Sequence, residues 1–379
     1  MPRATAVILS YNRQNALRRQ LFYYANKPIH LIFADGSDDD WGSGESGSIG
    51  EMTWEYFRIS GFGTYISRLQ TAVLKVKTEF MFLLDDEECI LWTGIESAIN
   101  FLRQNDDHSC ASGRADWMGF IDGKLAIGPW GRWSKPLALT QTDALERLSV
   151  IGQKGRTANL FYVVVRTKEL RNFSHIFDAR FDFDACSVPF IEVYLASFLA
   201  LAGKLETRNY PFWFRYRSEK EHTFSNNSNH LLDGEAMAIQ EMLKTALSSG
   251  SRLCEDDSIE FTTNEVAATL NRYFGDSPPS EDQFTNVKKP KQPIVFGLRN
   301  CFKSLLVKFY LILLRQFFPG IYKLRPHGLM RTNKYAKIYG KDSSFVANDI
   351  LHMSRLYTQF PNGVNRDMLE EELRLRANI

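Results

Sequence analysis

Cysteine is scarce in this chain and none of it is paired in sequence. The 379 residues hold five, at Cys89, Cys110, Cys186, Cys254 and Cys301, an odd number with no CxxC spacing. That excludes a disulfide framework and a cysteine-ligated zinc site, and it fits thiols kept reduced in the cytoplasm. No uncharged apolar stretch approaches the roughly 20 residues that span a bilayer. The opening MPRATAVILSYNRQ has too short an apolar run for a signal peptide. There is no internal repeat. Acidic residues vanish altogether from Gln283 to Lys341, where Lys and Arg number thirteen, an asymmetry hidden under a net charge of +2.

What is present is enough to fold. Hydrophobic residues make up 44% and aromatics 13%, sufficient for two or three domains, or one enzyme domain with an appendage. The first hundred residues alternate apolar runs with amphipathic segments, which predicts an α/β sheet with largely parallel strands. Ala6–Ser10 is the first strand, Gln14–Ala25 a helix and Ile29–Ala34 the second strand, followed by a Gly/Ser/Asp-rich loop. Residues 64–77 read as a helix and Phe80–Leu84 as the third strand. Residues 105–180 look less regular, with Phe161–Val165 the one clear strand. Pro189–Ala202 reads as an apolar helix ending at Gly203. Helices are expected over 229–248 and 263–274, and linker composition over 276–293.

The third strand ends in four consecutive acids, Asp85, Asp86, Glu87 and Glu88. Adjacent like charges repel by about 1 kcal/mol per close pair even in water. A strand-end pair such as Asp85 and Glu87 suits Mg²⁺ or Mn²⁺, which take hard oxygen ligands and leave positions for a diphosphate. The same acids also suit the start of a helix near Thr93, where negative charge meets the helix dipole.

The order AVILSYNR, LIFADGSDDDW and SRLQTAVLKVKTEFMFLLDDEE resembles the nucleotide-sugar-binding half of GT-A glycosyltransferases. Within these it is most similar to the large inverting family 2 of bacterial polysaccharide transferases. The resemblance covers residues 4–90, thins from 160 to 225 and is absent beyond. It implies a GT-A fold, a Rossmann-like mostly parallel sheet flanked by helices, with a C-terminal mainly helical region. The implied division is 1–225 for the transferase domain, 226–293 for a helical segment and linker, and 294–379 for the basic, apolar C-terminal region.

The resemblance also implies roles. Nucleotide contacts fall to Ser10, Tyr11, Asn12 and Arg13 after the first strand, to Asp35 and Ser37 after the second, and to Arg68 and Asp86. Asp35 is expected to accept the N–H of uracil, although Asp35-Gly36-Ser37 also reads as an ordinary turn. Asp85 and Glu87 are the expected metal ligands, with His222 a third. The family usually has Asp-x-Asp where this chain has Asp-Asp-Glu-Glu. An inverting transferase needs a base for the acceptor hydroxyl. Glu192, a lone acid in an apolar helix, takes that place, with Asp184 and Asp182 as alternatives. Arg215 and Arg217 could meet phosphate, and Trp130 and Trp133 could stack on an acceptor sugar.

The expected reaction is transfer of a hexosyl group from a nucleotide sugar, a UDP sugar by this reading. The acceptor would be a glycan or lipid-linked molecule of cell-surface polysaccharide synthesis. Ser304–Phe318 is strongly apolar within basic flanks, which favours contact of 294–325 with an anionic membrane surface over nucleic acid. That places the protein in the cytoplasm or peripherally on the inner face of the membrane. The competing reading packs this helix on the catalytic domain or on a second copy in a homo-oligomer. A sugar nucleotidyltransferase is the nearest enzymatic alternative, but SYNRQNALRRQ lacks the glycines of its usual loop. A catalytically silent scaffold on the same fold is the other.

Overall fold

A computed structural model describes residues 1–41, 46–61, 64–121, 124–129, 135–154, 160–176, 188–216, 330–331, 335–337, 344–361, 363–364 and 367–368. The chain opens with β1 (Ala4–Ser10), buried at every position. Continuous burial of this kind belongs to a strand covered by helices on both faces. Next, α1 (Gln14–Tyr24) crosses to β2 (Ile29–Asp35), parallel to β1 with Ala4 opposite Ile29. The Gly/Ser/Asp-rich segment expected to be all loop ends instead in β3 (Ser46–Ile49), antiparallel to β4 (Met52–Arg58). Along β4, Met52, Trp54 and Tyr56 are buried while Thr53, Glu55 and Phe57 are half-buried, the period-two signature of a strand. Then α2 (Tyr65–Lys75) leads to β5 (Phe80–Asp85), parallel to β1 on the side away from β2.

The resulting order is β5-β1-β2-β4. The chain moves outward from β1 through β2 to β4, then returns past β1 to lay down β5. Right-handed crossovers made in opposite directions put α1 and α2 on opposite faces of the sheet. The strand order therefore reverses between β1 and β5. In open α/β sheets, ligands bind outside the carboxyl ends of the strands at such a switch point.

After β5 come β6 (Cys89–Ile90), α3 (Trp92–Gln104), β7 (His108–Ile121), β8 (Lys124–Pro129), β9 (Ala138–Leu139) and α4 (Ala144–Lys154). They are followed by β10 (Val164–Arg166), α5 (Thr167–Ile176), α6 (Val188–Ala202), β11 (Lys204–Tyr216), β12 (Met330–Arg331) and α7 (Ser344–Gln359). The region expected to be irregular thus holds the longest strand described, β7, in a hairpin with β8. The strand expected over Phe161–Val165 is confined to Val164–Arg166. Two features hide β7 in the sequence. Gly113 is needed because a Cβ there would lie 2.5 Å from the Tyr210 carbonyl oxygen. Arg114 and Asp116 are both buried and pair with one another, Nε to Oδ2, at 3.0 Å. Apart from the β7–β11 pair, the ladders beyond the four central strands are antiparallel.

α7 packs on α1 and α3 and lies in the C-terminal region expected from the sequence to be mainly helical. Asp349 explains part of its docking. Its carboxylate accepts from the Thr93 N–H at 2.9 Å, the Thr93 hydroxyl at 3.1 Å and the Tyr23 hydroxyl at 3.0 Å. The first N–H groups of a helix have no partner within it, so Asp349 caps α3 from 256 residues away. Asp349→Ala strands these buried donors and is expected to cost about 2–3 kcal/mol. Urea unfolding would measure it; a loss under about 1 kcal/mol would show the cap to be dispensable.

Among the described residues no helix is long and apolar enough to cross a membrane. The helices expected at 229–248 and 263–274, the 276–293 linker and the apolar run at 304–318 lie outside the described residues.

Candidate functional site

The loops at the carboxyl ends of β1 and β2 are clasped together. Asn12 adopts a left-handed φ of 56°, a conformation asparagine tolerates better than most residues. Its N–H donates to the Ser37 hydroxyl at 2.8 Å, and its amide exchanges hydrogen bonds with the Asp38 carboxylate and N–H. Asp35 is fully buried. Its carboxylate accepts from the Ser37 N–H and hydroxyl, the Tyr56 hydroxyl and the Gln14 amide. A carboxylate offers about four lone-pair sites, and protein donors use them here. Asp35 organises the turn. Arg68 is buried beneath the same turn and donates to the Ser10 carbonyl at 3.1 Å. Gly36 makes room for it, since a Cβ there would meet Arg68 Nη1 at 1.2 Å. Tyr11 is partly exposed on this rim.

The four acids sit at the switch point, and their geometry follows from one local fact. β5 ends at Asp85, and the Glu88 N–H donates to the Asp85 carbonyl at 3.3 Å, closing a turn over Asp86 and Glu87. Residues i and i+3 of a turn come together, whereas i and i+2 share a face only in a strand. The acids therefore divide into two sets. Asp86 is buried and accepts from the Ser10 hydroxyl at 2.8 Å; Arg13 Nη1 lies 3.5 Å from it and 2.9 Å from Glu87. On the other side, Tyr162 donates to Asp85 Oδ2 at 2.5 Å and the Trp213 indole to Glu88 Oε2 at 2.5 Å. Those two rings stack with centroids 4.1 Å apart. The expected metal pair of Asp85 and Glu87 thus shares no hydrogen-bond or ion-pair partner among the described residues, and Asp85 faces the same neighbours as Glu88.

The turn is held by its backbone. Gln20 donates to the carbonyls of Asp86 and Glu88, Tyr357 from α7 to those of Glu87 and Glu88, and Tyr24 to that of Ile90. Beyond it, β6 pairs with β11, with Ile90 opposite Trp213. Alternation along β11 then sends Trp213 and Arg215 towards the acids, while Phe214 and Tyr216 meet Tyr335 and Tyr357 on the other face. Arg215 Nε is 3.9 Å from Glu88 and its guanidinium 5.7 Å from the Trp117 ring.

Glu192, in α6, completes the second set. Burial pushes its carboxyl up to about 7, the Asp85 charge adds to the rise and Arg215 opposes it. Asp86 is likewise pushed up to about 7, by burial first and then by Asp85 and Glu87. Burial also raises Asp85, and burial with the Asp85 charge raises Glu88. The site holds more buried carboxylate than its two arginines balance, and a cation would relieve that excess.

Among the described residues no three Asp, Glu, His or Cys side chains converge as a metal cage. A hard cation shared with a diphosphate needs only one or two protein carboxylates. Asp85 meets that need, since the hydrogen bond from Tyr162 uses one of its lone pairs. His222, Asp182, Asp184, Arg217, Trp130 and Trp133 lie outside the described residues. Sequence reasoning missed Tyr162 and Trp213. The period-two spacing of Trp213 and Arg215 in an aromatic run was the available signal for the second; nothing local marked the first.

No family model matches the sequence, and no curated protein matches it. Among solved structures the chain is similar to TarS of S. aureus. With TarS 1–349 in complex with UDP-GlcNAc it shares 12% identity at a TM-score of 0.46, covering 97% of this chain and 93% of that one. With the UDP complex the values are 11% and 0.45, covering 95% and 92%. The chain spans 46% of a longer TarS structure, at 13% identity and a TM-score of 0.44. A likeness this distant assigns no residue a role.

Proposed function

We propose that this chain is a GT-A-type glycosyltransferase that takes its sugar from a nucleotide diphosphate donor, a UDP sugar on the sequence resemblance. The observation that supports it most is the placement of an over-acidic, backbone-braced turn at the β1–β5 switch point, beside a second carboxylate raised into the range of a general base. Asp85 would hold Mn²⁺ or Mg²⁺. When bound, that ion would stabilise charge on the departing diphosphate. Arg13 and Arg215 supply positive charge on either side of the turn, where phosphate oxygens carry negative charge.

Glu192 acts on the acceptor. Its carboxylate takes the proton from the acceptor hydroxyl as that oxygen forms its bond to the anomeric carbon and the bond to the diphosphate breaks. The stacked Tyr162 and Trp213 wall this side and exclude water. This makes the reaction an inverting displacement. The acceptor class, a glycan or lipid-linked molecule, follows from the apolar basic segment near the C-terminus, which would bring the protein to a membrane surface.

The first test is calorimetry with UDP. Binding is expected with Mn²⁺ or Mg²⁺ and should weaken at least tenfold with EDTA. Absence of UDP binding in the presence of either metal would refute the reading and leave the scaffold alternative.

A further inference from the structure

The first residue of α2, Tyr65, has a hydroxyl shielded from solvent, with no hydrogen-bond partner among the described residues. Buried polar groups are nearly always paired, and each exception calls for an explanation. The neighbourhood supplies one. Asp85, Glu192, Arg68 and Glu88 all lie near enough for their charges to act on this hydroxyl. The Arg68 guanidinium lies 6.0 Å from its ring. Yet Asp85 Oδ2 is taken by Tyr162 and Glu88 Oε2 by Trp213. Tyr65 is therefore beside the carboxylates without being bonded to them.

The chemistry fixes what would lie there. In a displacement at the anomeric carbon, the leaving diphosphate and the attacking hydroxyl approach from opposite sides. The transferred sugar must then sit between the group that holds the diphosphate and the base. Those are Asp85 and Glu192 on the reading above, on which this inference rests, and Tyr65 neighbours both.

From this we infer that Tyr65 is a substrate-contacting residue whose hydroxyl donates a hydrogen bond to the sugar ring of the donor, and that it discriminates a sugar nucleotide from the bare nucleotide. A hydroxyl aligned for a substrate and unpaired in its absence adds nothing to folding but contributes to binding.

Tyr65→Phe separates these effects because it removes only the oxygen. The melting temperature of the ligand-free protein should stay level or rise, since no protein hydrogen bond is lost. Calorimetry with Mn²⁺ should give wild-type affinity for UDP. For whichever of UDP-GlcNAc and UDP-glucose the wild type binds more tightly, affinity should fall about five- to tenfold. Equal affinity of variant and wild type for both sugar nucleotides would overturn the inference and leave the transferase reading standing. A clear fall in melting temperature would also overturn it, by showing a structural bond. If the wild type binds neither UDP nor a UDP sugar, the transferase reading falls first and this inference with it.

Discussion

Glu192→Gln is expected to lower kcat by roughly 10²–10⁴-fold, the span that general-base catalysis contributes, while UDP and UDP-sugar affinity stay near wild type. The amide keeps the shape of the side chain and loses only the ability to accept the proton. The pH dependence gives an independent reading. Burial and the Asp85 charge hold the carboxyl at about 7. Below that pH the group is protonated and cannot act as a base, so wild-type kcat should rise with pH through this region and level off above it. The Gln variant should lose that rise. An active variant with an unchanged profile would remove Glu192 from the chemistry and turn attention to Asp184.

Asp85→Asn should have the other large effect, with opposite signs on binding and on folding. Losing the carboxylate removes the proposed hold on the cation, and metal-dependent UDP affinity should drop by at least about 10²-fold, the size of loss seen when metal-site partners are changed. The metal-free protein should become more stable, because the same charge raises Glu88 and Glu192. The Asn carbonyl can still accept from Tyr162, so little structure is lost with the charge. A gain of about 1 kcal/mol is the expected scale for relieving one such repulsion. Calorimetry and thermal melts in EDTA would measure the two effects. A variant that binds UDP and metal normally would exclude Asp85 as the ligand.

The parallel core was legible because β1, β2 and β5 carry near-continuous apolar runs, the pattern expected of a doubly covered strand. The site's position was legible for the same reason, since β5 had to end where the acids begin. Which acids act together was not legible. That depended on Asp86 and Glu87 lying in a turn, so that Asp85 aligns with Glu88. The partners of Asp35 were not legible either, since nothing in a strand-end Asp announces hydrogen bonds from Tyr56 and Gln14. β7 was hidden by a buried Arg114–Asp116 pair that reads as surface, and β11 by aromatics on both faces. Tyr162 and Tyr357 reach the turn from 77 and 270 residues away, separations at which sequence pattern carries no information about contact.

The docking of α7 bears on how this protein can be made. Asp349 and Tyr357 reach α3 and the acidic turn across 256 and 270 residues of sequence. A ribosome must therefore have translated through residue 357 before the segment that follows β5 can be fastened. The first hundred residues, although they carry the proposed nucleotide contacts, emerge as an open half whose turn awaits its last clasp. A premature stop anywhere upstream of residue 349 would leave this centre unlatched however complete the early strands.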